Sequence, residues 1–238
     1  MKKECLVVAL LAFVGAAQAA PVAFTSTNAQ TSVAVLTSDS ADAQFASSPP
    51  TALPITSSST LFNSTEFVSA SSLVADGLLN SQAEADSALG VTSAVASAEW
   101  QGTFVAVSRA LLLQMTLSNG DSADPQAFGS SSVIVSILQN GMPFYTALFS
   151  SSGDISRLVD LAIGATYTLD ITASSEADTF TGGSAFASML TTFNALAVPE
   201  PSTVFLFLLP AAGMLISVSR RKRAQSASYR AHLSGAAA

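Results

Sequence analysis

The segment VIVSILQNGMPFYTALF, residues 133–149, has the clearest strand-turn-strand pattern in the sequence. Apolar residues recur at every second position over 133–137, which is the period of a strand with one buried face. Asn140-Gly141 follows, and this dipeptide favours the two-residue turn of a β-hairpin. We therefore predict a strand, a tight turn and a partner strand at 144–149.

The same alternation recurs along much of the chain and predicts further strands. These lie at 109–118, 155–161, 167–172 and 185–196, with others at 91–98 and 102–107 and a first strand near 33–36. Turn signals at Gly164-Ala165 and Gly182-Gly183 separate neighbouring strands. Seven or more short strands with turns between them are typical of an antiparallel β-sandwich. The sequence thus predicts an all-β, jelly-roll-like sandwich over residues 61–197.

Two segments do not follow this alternation. Residues 20–60 are rich in Ser, Thr, Ala and Pro, and they contain Pro49-Pro50 and Pro54. This composition predicts that much of the segment, outside the strand near 33–36, is irregular, linker-like chain ahead of the sandwich. In residues 71–88 the apolar positions have mixed spacing, so a helix and strands remain equal alternatives there.

The charge distribution separates the middle of the chain from its ends. Between Ala20 and Val198 there are 14 Asp and Glu residues, and Arg109 and Arg157 are the only basic ones, a net charge of −12. Charged residues make up 11% of the chain, against roughly 25% in ordinary soluble proteins. A segment this acidic repels phosphate backbones, so we expect no nucleic-acid partner.

Residues 1–19 have the three parts of a secretory signal peptide. A positive start is followed by an apolar stretch over 6–16 and by the small residues Ala17-Gln18-Ala19. We predict that signal peptidase cuts between Ala19 and Ala20. An uncleaved N-terminal membrane anchor is the alternative.

A second targeting pattern lies near the C-terminus. The hexapeptide VPEPST consists of Val198, Pro199, Glu200, Pro201, Ser202 and Thr203. Its prolines keep the motif extended, so an enzyme's cleft can reach its backbone. An apolar run of 16 residues follows at 204–219, slightly shorter than the roughly 20 residues that span a bilayer. A basic cluster then consists of Arg220, Arg221, Lys222 and Arg223. Positive residues stay in the cytoplasm, which predicts one transmembrane helix with the sandwich outside.

Residues 198–223 resemble the PEP-CTERM sorting signal of Gram-negative bacteria, which combines such a hexapeptide, an apolar helix and an Arg-rich cluster. In that family the signal is read by exosortase, a membrane enzyme similar to cysteine proteases. The resemblance implies that Pro199, Glu200 and Pro201 are the recognition residues. It also implies cutting near this motif and transfer of the protein to the cell surface or the exopolysaccharide matrix.

One feature departs from the family pattern. Members usually stop just after the basic cluster, whereas this chain continues through a cytoplasmic tail at 224–238. The sequence leaves two outcomes open: the tail makes processing less efficient, or it has no effect. An ordinary single-pass anchor with an incidental proline motif is the alternative to the sorting signal.

The segment between the two targeting patterns lacks the side chains of most catalytic and zinc sites. It has no His, Cys or Lys, and the single His232 lies beyond the basic cluster. A Ser-His-Asp or Cys-His set, a Ser-Lys dyad and a zinc site therefore lack their essential groups. We expect a protein that is not an enzyme and has no cofactor.

The only cysteine, Cys5, lies in the signal peptide. The mature chain therefore forms no disulfide of its own. No apolar stretch precedes Cys5, so a lipoprotein is not expected.

Carboxylates supply the remaining chemistry. A glycosidase needs only two of them, and its candidates are Glu66, Glu84, Glu99 and Glu176. Calcium also needs only oxygen ligands, for which the loop segments 121–124 and 176–178 are candidates. Neither segment has a complete calcium loop, and solvated surface carboxylates are the simpler interpretation of all of them.

Three aromatic residues, Trp100, Tyr145 and Tyr167, are candidates for stacking on sugar rings if they share an exposed face. A buried core Trp is the alternative for Trp100. The sequence favours a non-catalytic surface or matrix protein. A module that binds the cell's own polysaccharide is the alternative, and a carboxylate-only glycosidase comes third.

Overall fold

The computed structural model describes residues 19–48 and 53–198, and every regular element in those ranges is a strand. The strands are β1 (Ala20–Pro21), β2 (Phe24–Leu36), β3 (Ala41–Ser48), β4 (Ile55–Phe62), β5 (Glu66–Ala75), β6 (Leu78–Ser87), β7 (Thr92–Val105), β8 (Ala110–Asn119), β9 (Ser122–Ala123), β10 (Ala127–Gln139), β11 (Met142–Phe149), β12 (Gly153–Asp160), β13 (Thr166–Thr179) and β14 (Gly183–Val198).

The strands form two sheets that face each other as a sandwich. Sheet A has the order β12-β8-β14-β6-β5-β4, with β1 and β9 also paired to β14. Sheet B has the order β11-β10-β13-β7-β2-β3. Every pairing is antiparallel, so the predicted all-β antiparallel sandwich is confirmed.

Alternating burial along each strand explains why the sheets face each other. In β13 and β7 every second residue is buried over 14 residues, because successive side chains of a strand point to opposite faces. The inner residues form two clusters. One contains large side chains such as Trp100, Phe104 and Tyr167. The other contains only Val and Ala among its buried members.

Hydroxyl hydrogen bonds join the two sheets where their inner side chains are small. Thr31 of β2 and Ser57 of β4 are bonded over 2.8 Å, and both are buried. Ser81 of β6 and Ser175 of β13 are bonded over 2.8 Å and are also buried. Each hydroxyl satisfies the other, so a polar residue occupies an inner position without a desolvated, unpaired group.

These bonds account for the main error in the sequence prediction. The expectation of irregular chain at 20–60 is wrong for the described residues, which contain β1, β2, β3 and β4. Thr31, Ser57 and Ser59 take inner positions, and an apolar periodicity does not register hydroxyl residues. The sandwich therefore begins at Ala20 rather than at 61, and Ala19–Val198 is one compact unit.

The helix alternative for residues 71–88 is also wrong. This segment spans the β5–β6 hairpin, whose turn contains Gly77 with φ of 68°. A left-handed residue suits glycine and closes a tight turn. Long side chains of Leu73 and Leu78 lie half-buried on the outer face, while Val74 and Leu79 lie inside, which produced the mixed spacing.

Most other strand predictions are confirmed. Asn140-Gly141 forms the turn between β10 and β11, with φ of 53° and 78°. The predicted strands at 91–98 and 102–107 are one continuous strand, β7. Gly102 lies within this strand. The rings of Trp100 and Phe24 occupy the space that a side chain at 102 would fill, which explains a glycine at this position.

The predicted signal peptide up to Gln18 lies outside the described residues. So do Pro199–Thr203, the apolar run 204–219, the basic cluster 220–223 and the tail 224–238. Within 19–48 and 53–198, no helix has the length and apolar character to cross a membrane.

Candidate functional site

The two ends of the sandwich chain lie side by side. β1 pairs with β14, so that Ala20 is opposite Ala197 and Pro21 is opposite Leu196. The Val22 amide also donates to the Ala195 carbonyl over 2.9 Å. The predicted signal-peptide junction at Ala19 and Ala20 therefore lies at the same end of the fold as Val198.

Val198 is the one residue of the predicted sorting hexapeptide within the described part of the chain. It is the last residue of β14, is half-buried and pairs with Ala110 of β8. The strand thus runs to the first residue of the motif. A cut after Val198 would remove no residue of the fourteen strands.

The predicted calcium segments do not form a calcium cage. The Asp121 carboxylate accepts from the Ser131 amide and hydroxyl over 2.9 and 2.6 Å, and from the Asn119 side chain over 2.9 Å. Asp124 accepts from the Ser184 amide over 2.9 Å. These carboxylates are tied to protein donors. In the described residues no group of three or more His, Cys, Asp or Glu side chains is placed to hold a metal.

Glu176 and Asp178, the acidic residues of the other calcium segment, project from one face of β13. Burial raises the pKa of Glu176, and the neighbouring Asp178 raises it further. A raised pKa means that the surroundings disfavour the charged form that a cation requires.

The four predicted glycosidase carboxylates are not assembled into one cleft. Glu84 lies on the outer face of sheet A, whereas Glu99 and Glu176 lie on the outer face of sheet B. Glu66 is at the start of β5, where the Ser38 hydroxyl, the Ser38 backbone amide and the Asn63 side-chain amide donate to its carboxylate. These bonds, led by the Ser38 hydroxyl, lower the pKa of Glu66 despite its burial.

A carboxylate pair that the sequence did not reveal lies at the centre of sheet B. Glu99 of β7 is opposite Thr172, and Asp170 of β13 is opposite Gln101, so the two acids are diagonal neighbours. Burial raises both pKa values, and Asp170 raises the pKa of Glu99 further. Strand register creates this pair, and no local sequence signal predicts the register.

The three aromatic candidates for sugar stacking, Trp100, Tyr145 and Tyr167, do not share an exposed face. Trp100 is 4% exposed, packs edge-on against Phe24 at 4.9 Å between ring centroids and lies 4.8 Å from Phe193. Tyr167 is 1% exposed, and its hydroxyl accepts from the Ala162 amide over 2.9 Å. The alternative of a buried core Trp100 is therefore confirmed. Tyr145 is half-buried and packs against the same core.

The outer face of sheet A instead presents an open groove of about 500 Å³ across β12, β8 and β14. Six exposed polar side chains line it in two rows set by the strand pairing. The rows are Asp154–Thr116–Thr192 and Ser156–Gln114–Asn194. The volume is in the usual range for small-ligand sites, about 300–1,000 Å³.

The groove offers hydrogen-bond donors and acceptors in close proximity. Thr116 Oγ1 donates to Asp154 Oδ1 over 2.7 Å. Gln114 and Asn194 are opposite each other, and each amide provides two N–H donors and a C=O acceptor. Hydroxyl-rich ligands require this mixture, because each hydroxyl both donates and accepts. No local sequence pattern marks the groove, because its residues come from three strands.

Uncharged polar residues continue across sheet A beyond the groove. One row across four strands reads Ser188, Gln82, Ser71 and Ser58. The outer face of sheet B carries Glu99, Asp170, Glu176 and Asp178, and that of sheet A carries Glu84, Asp86 and Asp154. Both outer faces therefore carry carboxylates.

No family model matches the sequence, and no curated protein matches it. Among solved structures, the carbohydrate-binding module TmCBM61 in complex with β-1,4-galactotriose is similar at a TM-score of 0.21. The sequence identity is 7%, over 59% of this chain and 86% of that chain. A likeness at this level carries no argument about function.

Proposed function

We propose that this chain is an exported, non-catalytic surface protein that exosortase cuts next to Val198 and delivers to the cell surface or the exopolysaccharide matrix. The observation that supports it is the pairing of Ala20 with Ala197. Both predicted processing points flank the same compact unit at one of its ends. Removal of both targeting segments would leave every strand intact.

The segment between the processing points has no His, Cys or Lys, and its candidate glutamates are divided between two sheets. These features favour a structural or binding role over catalysis.

The sorting motif is tested by replacing Pro199, Glu200 and Pro201 with alanine in cells that contain exosortase. We expect the variant to accumulate at full length in the membrane fraction. The matched control replaces Ser226 and Ser228 of the tail with alanine and should be processed normally. Normal processing of the motif variant would remove the sorting proposal.

A second candidate function, binding of the cell's own polysaccharide, is favoured by the groove on sheet A. Its test replaces Gln114 and Asn194 with alanine and measures retardation in gels that contain the purified exopolysaccharide. The control replaces Asn28 and Gln30, an amide pair on the outer face of sheet B. Retardation should fall only in the groove variant; equal retardation of both variants would argue against the groove.

A further inference from the structure

Two phenylalanines stand on the outer face of sheet A at the end of the β4–β5 hairpin. Phe62 and Phe67 are directly paired across these strands. They are 80% and 36% exposed, although the inner neighbour Val68 is fully buried. The remaining outer positions of β4 are Thr56, Ser58 and Thr60, so the apolar pair is confined to this corner of the strand. Exposed apolar groups grouped in this way indicate a binding surface.

Polar groups adjoin the pair on the same face. Asp86 of β6 is opposite Phe67, and Ser184 of β14 is opposite Asp86. In the next row Thr60 and Ser69 are opposite each other. Aromatic rings beside hydroxyls and carboxylates match a sugar ring, which has an apolar C–H face and a rim of hydroxyls.

The pair is far from the end at which the chain leaves the fold. Its row is level with Ser184 on β14, and Val198 ends the same strand about 45 Å further on at roughly 3.3 Å per residue. The uncharged row through Ser71 and Gln82 lies between this corner and the groove.

We propose that Phe62 and Phe67, with Thr60, Ser69 and Asp86, form a stacking site for a neutral polysaccharide. The site rests on the second candidate function and adds a location to it. The charges of this face select the occupant. Asp86 and Glu84 would meet like charges in an anionic polysaccharide or in the same face of a second copy, and the unit carries a net charge of −12.

The test measures gel retardation of the mature protein by the purified exopolysaccharide, by a soluble neutral β-glucan and by alginate, an anionic polysaccharide. Serine at both Phe62 and Phe67 should weaken binding to a neutral glycan at least tenfold. Leucine at both positions should weaken it similarly, because a planar ring is lost, whereas tyrosine should preserve it. The control is Phe45→Ser, since Phe45 is 65% exposed on the outer face of sheet B.

Each outcome separates the site from the broader functions. Undiminished binding in the serine variant, or equal loss in Phe45→Ser, overturns the stacking site. Binding to alginate alone, or a dimer that dissociates in the serine variant, also overturns it. Loss in the Gln114 and Asn194 variant alone overturns this site but keeps polysaccharide binding. No retardation of the unchanged protein overturns both, while C-terminal processing is judged separately. An unchanged melting midpoint confirms that the serine variant is folded.

Discussion

Ala20 and Ala197 are paired in antiparallel register, so the first and last strands of the described fold lie together. The segment that follows Ala20 is part of the sandwich, because β2 lies between β7 and β3 in sheet B. This arrangement brings the two predicted processing points to one end of the domain. It also makes β2, β3 and β4 parts of the two sheets.

We therefore predict that a chain shortened to begin at Leu61 does not fold. It would lack β2, which pairs with β7 from Phe24 to Leu36, and would leave that edge of β7 without its backbone hydrogen-bond partners. Circular dichroism and thermal unfolding check this result. A cooperative transition in the shortened chain would instead support the linker interpretation of residues 20–60.

Substitution of Gly77 tests the hairpin between β5 and β6. Gly77→Ala should destabilise the protein by about 1–2 kcal/mol, because alanine disfavours a φ of 68° and its Cβ would lie 3.2 Å from the Phe193 carbonyl oxygen. Urea unfolding measures the change. Gly141→Ala is the reference, since φ is 78° there and nothing lies within 4 Å of the added carbon. Stabilisation by Gly77→Ala would indicate a helix, which prefers alanine.

Enlarging an inner alanine tests how closely the sheets pack. Ala96→Leu should cost about 1–3 kcal/mol or more, because Ala96 is fully buried in the cluster of small residues. Ala34→Leu is the control, since Ala34 is exposed on the outer side of β2. Denaturant midpoints for both variants give the comparison. An equal, small effect at the two positions would contradict the close approach of the sheets.

The pair Glu99 and Asp170 predicts a pH dependence of opposite sign to that of a typical surface carboxylate. Burial raises the pKa of both groups in the folded protein. A folded state that holds its protons more tightly loses stability as pH rises from the ordinary carboxyl range of about 4 through the raised folded pKa. The pair therefore destabilises the fold at neutral pH.

Removing these charges should relieve the loss. Glu99→Gln with Asp170→Asn should raise the melting midpoint by roughly 1–3 °C at pH 7 and change it little near pH 3. The gain is small because both groups are partly solvated. Glu84→Gln on the exposed face of sheet A is the control. A lower midpoint at pH 7 would show that the two carboxylates stabilise the fold.

The sequence predicted the strands whose inner side chains are large and apolar. The strands β8, β10 and β13 follow a clear period of two. Asn140-Gly141 correctly marks the turn between β10 and β11. Apart from the strand predicted near 33–36, which lies within β2, the sequence prediction failed for β2 to β4, where hydroxyl pairs such as Thr31 with Ser57 fill inner positions. A hydrophobic pattern contains no information about that pairing.

The candidate surfaces were less predictable than the strands. Gln114, Asp154 and Asn194 are far apart in the sequence and meet only because β8 lies between β12 and β14. Phe62 and Phe67 look like core residues in sequence, and only their place on the outer face distinguishes them. Trp100, the most conspicuous aromatic residue, belongs to the core instead.

The most direct measurement is the mass of the C-terminal peptide of the protein recovered from cells with and without exosortase. We predict a terminus at or just after Val198 in the competent cells and a chain intact through Ala238 in the others. An intact chain in both would contradict the sorting proposal and leave a plain membrane anchor.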